Sequence, residues 1–318
     1  MKKLMIFAAA TAATAASLSI VSPAFAEAKA IEAPAEAGPK VNSYDHIKTT
    51  LHGEAGPLVI LIPGMSTPGE SWDEQVEALK GQHRLLVVHT RGFEGERGTA
   101  NEQDGALEGI VADLSADLKA RGLGPATLVG HSMGGLVAMM FGLAHPDQAS
   151  RLLIVDSLPW FATIFGGDIS MEQARVRADS MREMMVKGAE MMREMGKTGT
   201  AKDNGALDMS VKAEHRIRIG NWAMRAEPLA VAQLVHEDIM TDLRADIADL
   251  KMPVTVLHMA NGDYAEMART RYATDYAALK QTRLVPIDGT GHFIHFDHPA
   301  LFRAELAHLI SKPAGNKK

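Results

Sequence analysis

The sequence predicts an α/β fold, a mostly parallel and doubly wound sheet with a helical insertion, and three observations support this. Apolar runs of strand length recur along the chain, and helical patterns separate them. A run that is apolar throughout is typical of a strand buried on both faces of a parallel sheet. Residues 158–250 contain no such run and have helical periodicity instead, which indicates an insertion between two strands.

Each predicted element follows from its pattern. An alternating segment at 43–53 predicts an edge strand, and apolar runs predict the strands of the parallel part. These strands are predicted at 57–63, 84–90, 126–130, 151–157, 252–259 and 282–288. Outside the insertion, helices are predicted within 69–82, 104–121, 133–145, 264–280 and 298–311. Strands that alternate with helices indicate an α/β architecture.

The N-terminal region has the composition of a secretory signal. Residues 1–26 begin with Lys2 and Lys3, continue through an alanine-rich apolar stretch and end in Ala-Phe-Ala. This pattern predicts cleavage after Ala26, with no stable membrane anchor left on a protein exported to the periplasm. Residues 27–42 are rich in Ala, Glu and Pro and predict a flexible lead-in. The absence of cysteine is compatible with export.

Charge and length set further bounds. The chain has 33 basic and 39 acidic residues, a net charge of −6, which argues against nucleic acid as a partner. Its 318 residues suffice for one sizeable core and an insertion. The predicted organisation is a core formed by residues 43–157 and 251–318, with a helical cap formed by 158–250.

One serine lies among three glycines in the segment "TLVGHSMGGLVAMMF", residues 127–141. Gly130 ends a predicted strand, Ser132 follows it and Gly134 lies at the start of a predicted helix, which is the context of the G-x-S-x-G nucleophile elbow. Glycine permits a tight turn and close approach of neighbouring backbone. Amides at the start of the following helix favour a negatively charged oxygen.

With this motif in its context, the chain resembles the α/β-hydrolase superfamily over about residues 50–311. The resemblance implies that Ser132 is the nucleophile and that the backbone N–H of Met133 is one oxyanion donor. It implies a second donor at Met65, in a Pro-Gly-Met turn where many relatives have His-Gly. A serine nucleophile argues against dehalogenases and epoxide hydrolases of this fold, which use aspartate at that position.

A serine hydroxyl needs a base to take its proton. His292, in "IDGTGHFIHFDHP", follows the last predicted strand, where the superfamily has its histidine. His295 and His298 begin a helical segment and are expected to pack or cap. Three histidines at this spacing also suggest zinc. No accompanying carboxylate motif supports a zinc site, so neither a metal nor an organic cofactor is predicted.

The resemblance also implies a carboxylate that orients His292. Asp263 follows the next-to-last predicted strand, corresponds to the usual position in the superfamily and is the preferred candidate. Asp156 ends the strand after the nucleophile helix and is the alternative, because some relatives use that position.

Methionines on one predicted helix of the cap suggest a substrate surface. Met181, Met184 and Met185 are expected to contact an apolar substrate, because methionine adapts to varied shapes. Ordinary packing against the core is the default interpretation of the same pattern.

The predicted function is an exported serine hydrolase that cleaves carboxylic esters or lactones through an acyl-enzyme. Its partner would be a small ester or lactone with a hydrophobic portion. An aminopeptidase resembling the proline iminopeptidases would instead need cap carboxylates such as Glu172, Glu183 or Glu190 near the serine. Carbon–carbon bond hydrolysis and a cofactor-free peroxidase side activity would use the same catalytic residues. A non-catalytic protein that binds a ligand is the remaining hypothesis.

Overall fold

The computed structural model describes residues 40–311. Its eight strands are β1 (Lys40–Ser43), β2 (Ile47–His52), β3 (Leu58–Ile62), β4 (Arg84–Thr90), β5 (Ala126–His131), β6 (Ala149–Val155), β7 (Val254–Met259) and β8 (Thr282–Ile287). They form one sheet in the order β1-β2-β4-β3-β5-β6-β7-β8. Strands β3 to β8 pair in parallel, and β1 and β2 pair antiparallel at one edge.

The helices cover both faces of the sheet. They are α1 (Asp73–Leu79), α2 (Ala106–Ala120), α3 (Met133–Ala144), α4 (Met171–Thr198), α5 (Ala213–Arg225), α6 (Pro228–Met240), α7 (Ala265–Asp275), α8 (Ile294–Asp297) and α9 (Pro299–Ser311). Short 3-10 helices span Gly69–Trp72, Ala100–Glu102, Phe161–Phe165, Asp246–Asp249 and Gly262–Tyr264.

The central strand β3 shows why its sequence is apolar throughout. Ile60 belongs to a core cluster shared with helices α2 and α3 on one face, whereas Leu61 belongs to a cluster with α1 and α9 on the other. All five residues of β3 are buried. A strand covered by helices on both faces has no solvent side, so hydrophobic alternation is absent.

The strand order creates a crevice at the carboxyl ends of β3 and β5. The chain proceeds from β3 to β4 on one side and then returns to place β5 on the other side of β3. Open α/β sheets bind ligands where the strand order reverses in this way. The segments that follow β3 and β5 therefore meet at this crevice.

Between β6 and β7 the described chain is helical or irregular and contains no strand. Helices α4, α5 and α6 occupy this interval, with 3-10 turns before and after them. Within the described residues, no helix combines the length and hydropathy needed to span a bilayer.

The predictions for the N-terminus fall mostly outside the described residues. The expected signal at 1–26 and most of the lead-in at 27–42 lie there. The lead-in prediction is wrong for residues 40–42, because they belong to β1 and pair with β2. Their side chains are mostly exposed, so this edge strand lacks the apolar pattern that would have predicted it.

Buried Asp117 on α2 fastens the antiparallel edge to the core. Its carboxylate accepts hydrogen bonds from Asn42 Nδ2 (2.6 Å), Tyr44 OH (3.0 Å) and Thr49 Oγ1 (2.7 Å), and it pairs with Arg121 Nε at 2.9 Å. The Asp117 side chain is 0% exposed. One carboxylate therefore serves three residues of the β1–β2 region.

We expect Asp117→Ala to lower the free energy of unfolding by about 3 kcal/mol, because the mostly buried Arg121 loses its charged partner and the buried Thr49 hydroxyl loses its acceptor. Urea denaturation measures this change. Asp147→Ala, at an exposed position, is the matched control and should change stability by less than about 0.5 kcal/mol. Equal losses in the two variants would contradict the assignment.

Candidate active site

Ser132 occupies the turn between β5 and α3 with an unusual backbone. Its φ and ψ are 54° and −127°, in a region that residues other than glycine seldom adopt. Its N–H donates to Val155 O at 3.0 Å, which fixes the turn against the end of β6. Such strain persists only where the surroundings enforce it, and it is concentrated at functional sites.

The flanking glycines serve close packing rather than a positive φ. A Cβ on Gly134 would lie 2.4 Å from Ile62 O, and a Cβ on Gly130 would lie 2.1 Å from Gly134 O. A Cβ on Gly135 would lie 2.5 Å from Ser157 Cβ. The glycines therefore allow the start of α3 to approach neighbouring strands, while Ser132 itself adopts the left-handed φ.

The candidate oxyanion donors both adjoin Ser132. Met133 is the first residue of α3, where an amide has no helical carbonyl to bond. Met65 follows Gly64, and a Cβ on Gly64 would lie 3.0 Å from Ser132 Cβ. The turn after β3 thus lies against the turn after β5, as the strand order requires.

His292 is paired with a buried carboxylate. Its Nδ1 lies 2.6 Å from Asp156 Oδ2, and the Asp156 side chain is 5% exposed. The other oxygen, Asp156 Oδ1, accepts from Met259 N and from Tyr272 OH, each at 3.0 Å. Three donors therefore fix the position of this carboxylate, and burial raises the pKa of the Tyr272 hydroxyl well above its usual range.

The preference for Asp263 as the partner of His292 is corrected to Asp156. Asp263 lies in an exposed 3-10 turn beyond the end of β7 and lines the outer part of the cavity described below. Asp156 directly follows β6, which pairs with β5, so its side chain starts close to the end of the strand that leads to Ser132. Asp156 can reach His292 because β6 lies beside β5 in the sheet. The separation of the residues along the chain does not show this proximity.

The loop that carries His292 is fastened to the insertion. His292 N donates to Asp208 O at 2.6 Å, and Phe293 N donates to Met209 O at 3.1 Å. Asp297, at the other end of the loop, accepts from Ser210 Oγ at 2.5 Å and from Val211 N at 3.1 Å. Segment 208–211 of the insertion therefore holds the histidine loop in place.

We expect Gly291→Ala to lower kcat about 100-fold, because a displacement of about 1 Å at a reacting group has such an effect. A Cβ on Gly291 would lie 2.5 Å from Met209 C and from Ser210 N, which pushes the two loops apart. Ester hydrolysis and thermal unfolding measure the result. Gly81→Ala is the control, since nothing lies within 4 Å of the added Cβ. Unchanged kcat in Gly291→Ala would contradict the positioning role of segment 208–211.

The other histidines near the site have separate surroundings. His295 is buried and stacks on Trp72 at 4.3 Å, and burial lowers its pKa to about 3. His298 Nε2 lies 3.1 Å from Gly289 O. His131 Nε2 donates to His292 O at 3.2 Å, and burial holds the pKa of His131 well below its usual range. Within residues 40–311, no three His, Asp or Glu side chains form a group suited to a metal ion.

Ser132, Asp156 and His292 all line one cavity of about 920 Å³. Its remaining wall is largely apolar and is formed by parts of the core and of the insertion. Apolar lining residues include Leu158, Phe161, Ile164, Leu207, Tyr264 and Met267.

The expected methionine surface is not part of this cavity. Met181 packs against the cluster around Trp160, Met185 packs against the main core, and Met184 is 64% exposed. The buried residues of helix α4 are alanines, so its methionines lie at the edge of its packed face or outside it. The methionines that line the cavity are Met133, Met259 and Met267.

The structure also separates the suggested cap glutamates from the serine. Glu172, Glu183 and Glu190 are exposed on α4 and do not line the cavity. Asp238 of α6 does line it, although sequence analysis did not single it out. Burial raises the pKa of Asp238 to about 7. In the sequence, an aspartate on a helix of mixed polar and apolar composition is indistinguishable from a surface residue. The burial of Asp238 therefore could not be predicted from its sequence context.

Comparison with known proteins places this geometry in a family. A family model described as "Alpha/beta hydrolase family" matches residues 59–305. The chain belongs to the alpha/beta hydrolase family. The predicted resemblance and the predicted fold class of this hydrolase are therefore confirmed.

Curated relatives of the hydrolase differ in how much of the chain they match. It is 24% identical over 268 residues to the sn-1-specific diacylglycerol lipase ABHD11 of Mus musculus, covering 82% of this chain and 83% of that protein. It is 28% identical over 267 residues to the pimeloyl-[acyl-carrier protein] methyl ester esterase of Aliivibrio salmonicida, covering 81% and 93%. Epoxide hydrolase 4 of Mus musculus is 27% identical over 105 residues, which are 33% of this chain and only 29% of that protein.

Solved structures support the fold independently. A hydrolase from Pseudomonas aeruginosa PA01 superimposes with a TM-score of 0.67 at 20% identity. The match covers 87% of this chain and all of that one, at 100%. At this level of identity, structural similarity establishes the architecture of the hydrolase.

Proposed function

We propose that this protein is an exported serine hydrolase that cleaves carboxylic esters or lactones through an acyl-enzyme. The observation that carries the proposal is one constellation in one cavity: Ser132 in a strained turn, with His292 held by Asp156 at 2.6 Å. A nucleophile, a base and a group that orients the base are the parts that acyl transfer requires. Two relatives that match most of the chain, named as a lipase and a methyl ester esterase, support an ester substrate.

In the proposed first step, Ser132 Oγ attacks the carbonyl carbon of the ester. His292 donates its Nδ1–H to Asp156, which leaves Nε2 to take the hydroxyl proton. The carbonyl oxygen becomes negatively charged and accepts hydrogen bonds from the N–H groups of Met133 and Met65. Because these amides are fixed by the fold, they stabilise the oxyanion without reorganisation.

Collapse of this intermediate breaks the bond to the leaving alkoxide, which takes the proton from His292 and departs as the alcohol. Water then attacks the acyl group on Ser132, with His292 again as base, and releases the carboxylic acid. In a lactone the alcohol and the acid belong to one molecule, so the product is a hydroxy acid. His292 gives the proton it took from water to Ser132 Oγ as the acid leaves, so the completed cycle returns the enzyme to its starting protonation.

The cavity supports a hydrophobic portion on the substrate. Several of its apolar lining residues remain exposed at the surface: Tyr264 is 73%, Leu207 61%, Met267 56% and Ile164 45% exposed. Such side chains gain about 25 cal/mol per Å² when a bound acyl or alcohol chain covers them.

Ester chain length tests this proposal. We expect kcat/KM for p-nitrophenyl esters to rise from acetate to butyrate and octanoate by about tenfold or more, since each buried methylene contributes about 0.8 kcal/mol. A fluorophosphonate should label Ser132, with peptide mass spectrometry locating the adduct. A sharp preference for acetate would contradict the apolar site, and labelling elsewhere would contradict the proposed nucleophile.

Export belongs to the same proposal and rests on residues 1–26. The protein from a periplasmic fraction should begin at Glu27. An intact Met1 in that fraction would contradict cleavage.

A further inference from the structure

Asp238 is a buried carboxyl group with no partner in the described part of the chain. Its side chain belongs to α6 in the insertion, it is 7% exposed and it lines the Ser132 cavity. Among residues 40–311, nothing donates a hydrogen bond to it or forms an ion pair with it. The residue is buried while its carboxylate is open to the cavity, so a molecule bound there can supply the partner that the described chain does not.

Its neighbours on α6 show what a structural role would look like. Glu237 accepts from Gly105 N and Leu107 N, both at 2.8 Å, at the start of α2. His236 Nε2 lies 2.9 Å from Asp179 Oδ1 on α4. Each of these side chains joins α6 to another helix, whereas Asp238 makes no such bond among the described residues and lines the cavity.

The charges around the cavity favour a cation. Asp208 and Asp263 line its outer part, in addition to Asp238. Arg271 is the lining arginine among the described residues, and its guanidinium already donates to Thr163 O. Because acidic residues outnumber arginines in this wall, the cavity repels carboxylates and attracts ammonium groups.

We propose that Asp238 binds a protonated amine on the substrate, so that the natural substrate is an amine-bearing ester. This inference rests on the proposed esterase function and adds its substrate class. Burial raises the pKa of Asp238 to about 7, because the ionised carboxylate is less well solvated there than in water. An ammonium group bound in the same cavity would stabilise the ionised form. Charge-assisted hydrogen bonds are strengthened where water is excluded.

Matched acyl chains test the proposal. p-Nitrophenyl 6-aminohexanoate and p-nitrophenyl heptanoate have similar size and differ in the terminal charge. p-Nitrophenyl 8-aminooctanoate and p-nitrophenyl nonanoate form a second pair with a longer chain, in case the amine must extend further to meet Asp238. Near pH 8, where Asp238 is ionised, we expect the wild type to prefer the amine by at least about tenfold in kcat/KM. In Asp238→Asn this preference should fall to about onefold, since an amide provides no charge.

Asp249→Asn is the control for the substitution itself. Asp249 also lies at the surface of residues 158–250, it pairs only loosely with Lys251 at 3.3 Å, and it does not line the cavity. This variant should keep the preference for the amine. An amine preference of onefold or less in the wild type, or an equal preference in Asp238→Asn, would overturn the proposal.

Two further substrates separate charge from polarity. p-Nitrophenyl 6-hydroxyhexanoate supplies a hydrogen-bond donor without charge, and mono-p-nitrophenyl adipate supplies a carboxylate. We expect the order amine, then hydroxyl, then carboxylate. If the hydroxyl ester equals the amine ester, the ammonium assignment is overturned in favour of neutral hydrogen bonding.

Binding distinguishes failure of this inference from failure of the esterase proposal. Ser132→Ala cannot turn over an ester, so calorimetry with hexylamine and 1-hexanol measures recognition alone. Preference for hexylamine that disappears in Ser132→Ala/Asp238→Asn supports the amine site even if no ester is cleaved. Equal binding of the two probes to Ser132→Ala overturns it, whether or not esters are hydrolysed.

Discussion

Ser132→Ala is expected to lower kcat/KM for p-nitrophenyl butyrate by about 10,000-fold or more, because the substitution removes the hydroxyl that we propose attacks the ester carbonyl. The fold should persist, since the side chain is only partly buried and the strained φ is enforced by the backbone bond to Val155. Ester hydrolysis by purified wild type and variant measures the loss, and circular dichroism checks the fold.

Ser180→Ala is the matched control. Ser180 is exposed on α4, and its hydroxyl donates within its own helix to Val176 O at 2.7 Å. This variant should retain wild-type turnover. If Ser132→Ala keeps more than about a tenth of the activity, the acyl-enzyme proposal is wrong, because loss of a nucleophile has a far larger effect.

Asp156→Asn is expected to reduce kcat by about 10,000-fold while substrate binding changes little. The carboxylate accepts from His292 Nδ1 at 2.6 Å and so selects the tautomer whose Nε2 can take the serine proton. An asparagine amide in this place can donate to Nδ1 and so favour the wrong tautomer. Because Tyr272 OH and Met259 N fix the other oxygen, the geometry around the variant should be preserved.

Asp263→Asn provides the comparison with the residue that sequence analysis preferred. Asp263 lies on the exposed rim of the cavity, and the carboxylate that pairs with His292 is that of Asp156. The loss in this variant should stay below about tenfold, as expected for an exposed charge near a site. A greater loss in Asp263→Asn than in Asp156→Asn would reverse the assignment.

Local patterns account for the parts of this protein that could be predicted from its sequence. Strands β3 to β8 were predicted to within a few residues because each contains an apolar run, which in central strands such as β3 is continuous since both faces are buried. Ser132 was recognisable because its turn needs glycines at fixed offsets, and that requirement is written in adjacent residues. His292 followed from its place after the last strand in the resemblance to the superfamily.

The partner of His292 depended on the tertiary structure. Asp156 and Asp263 each follow a strand, and chain spacing gives no measure of which carboxylate approaches the histidine. The decision came from the position of β6 beside β5 and from the donors that Tyr272 and Met259 provide.

The lining of the cavity was likewise a tertiary property. A methionine-rich helix predicts an apolar face, but the buried side of α4 consists of alanines because the neighbouring helices approach closely there. Asp238 is the converse case, an acidic residue that the packing of α6 buries in the wall of the cavity that Ser132 also lines. The sequence by itself determined the fold and the candidate nucleophile Ser132, because both depend on short-range patterns. Only the tertiary structure decided which carboxylate pairs with His292 and which residues line the cavity, because those depend on which distant segments meet.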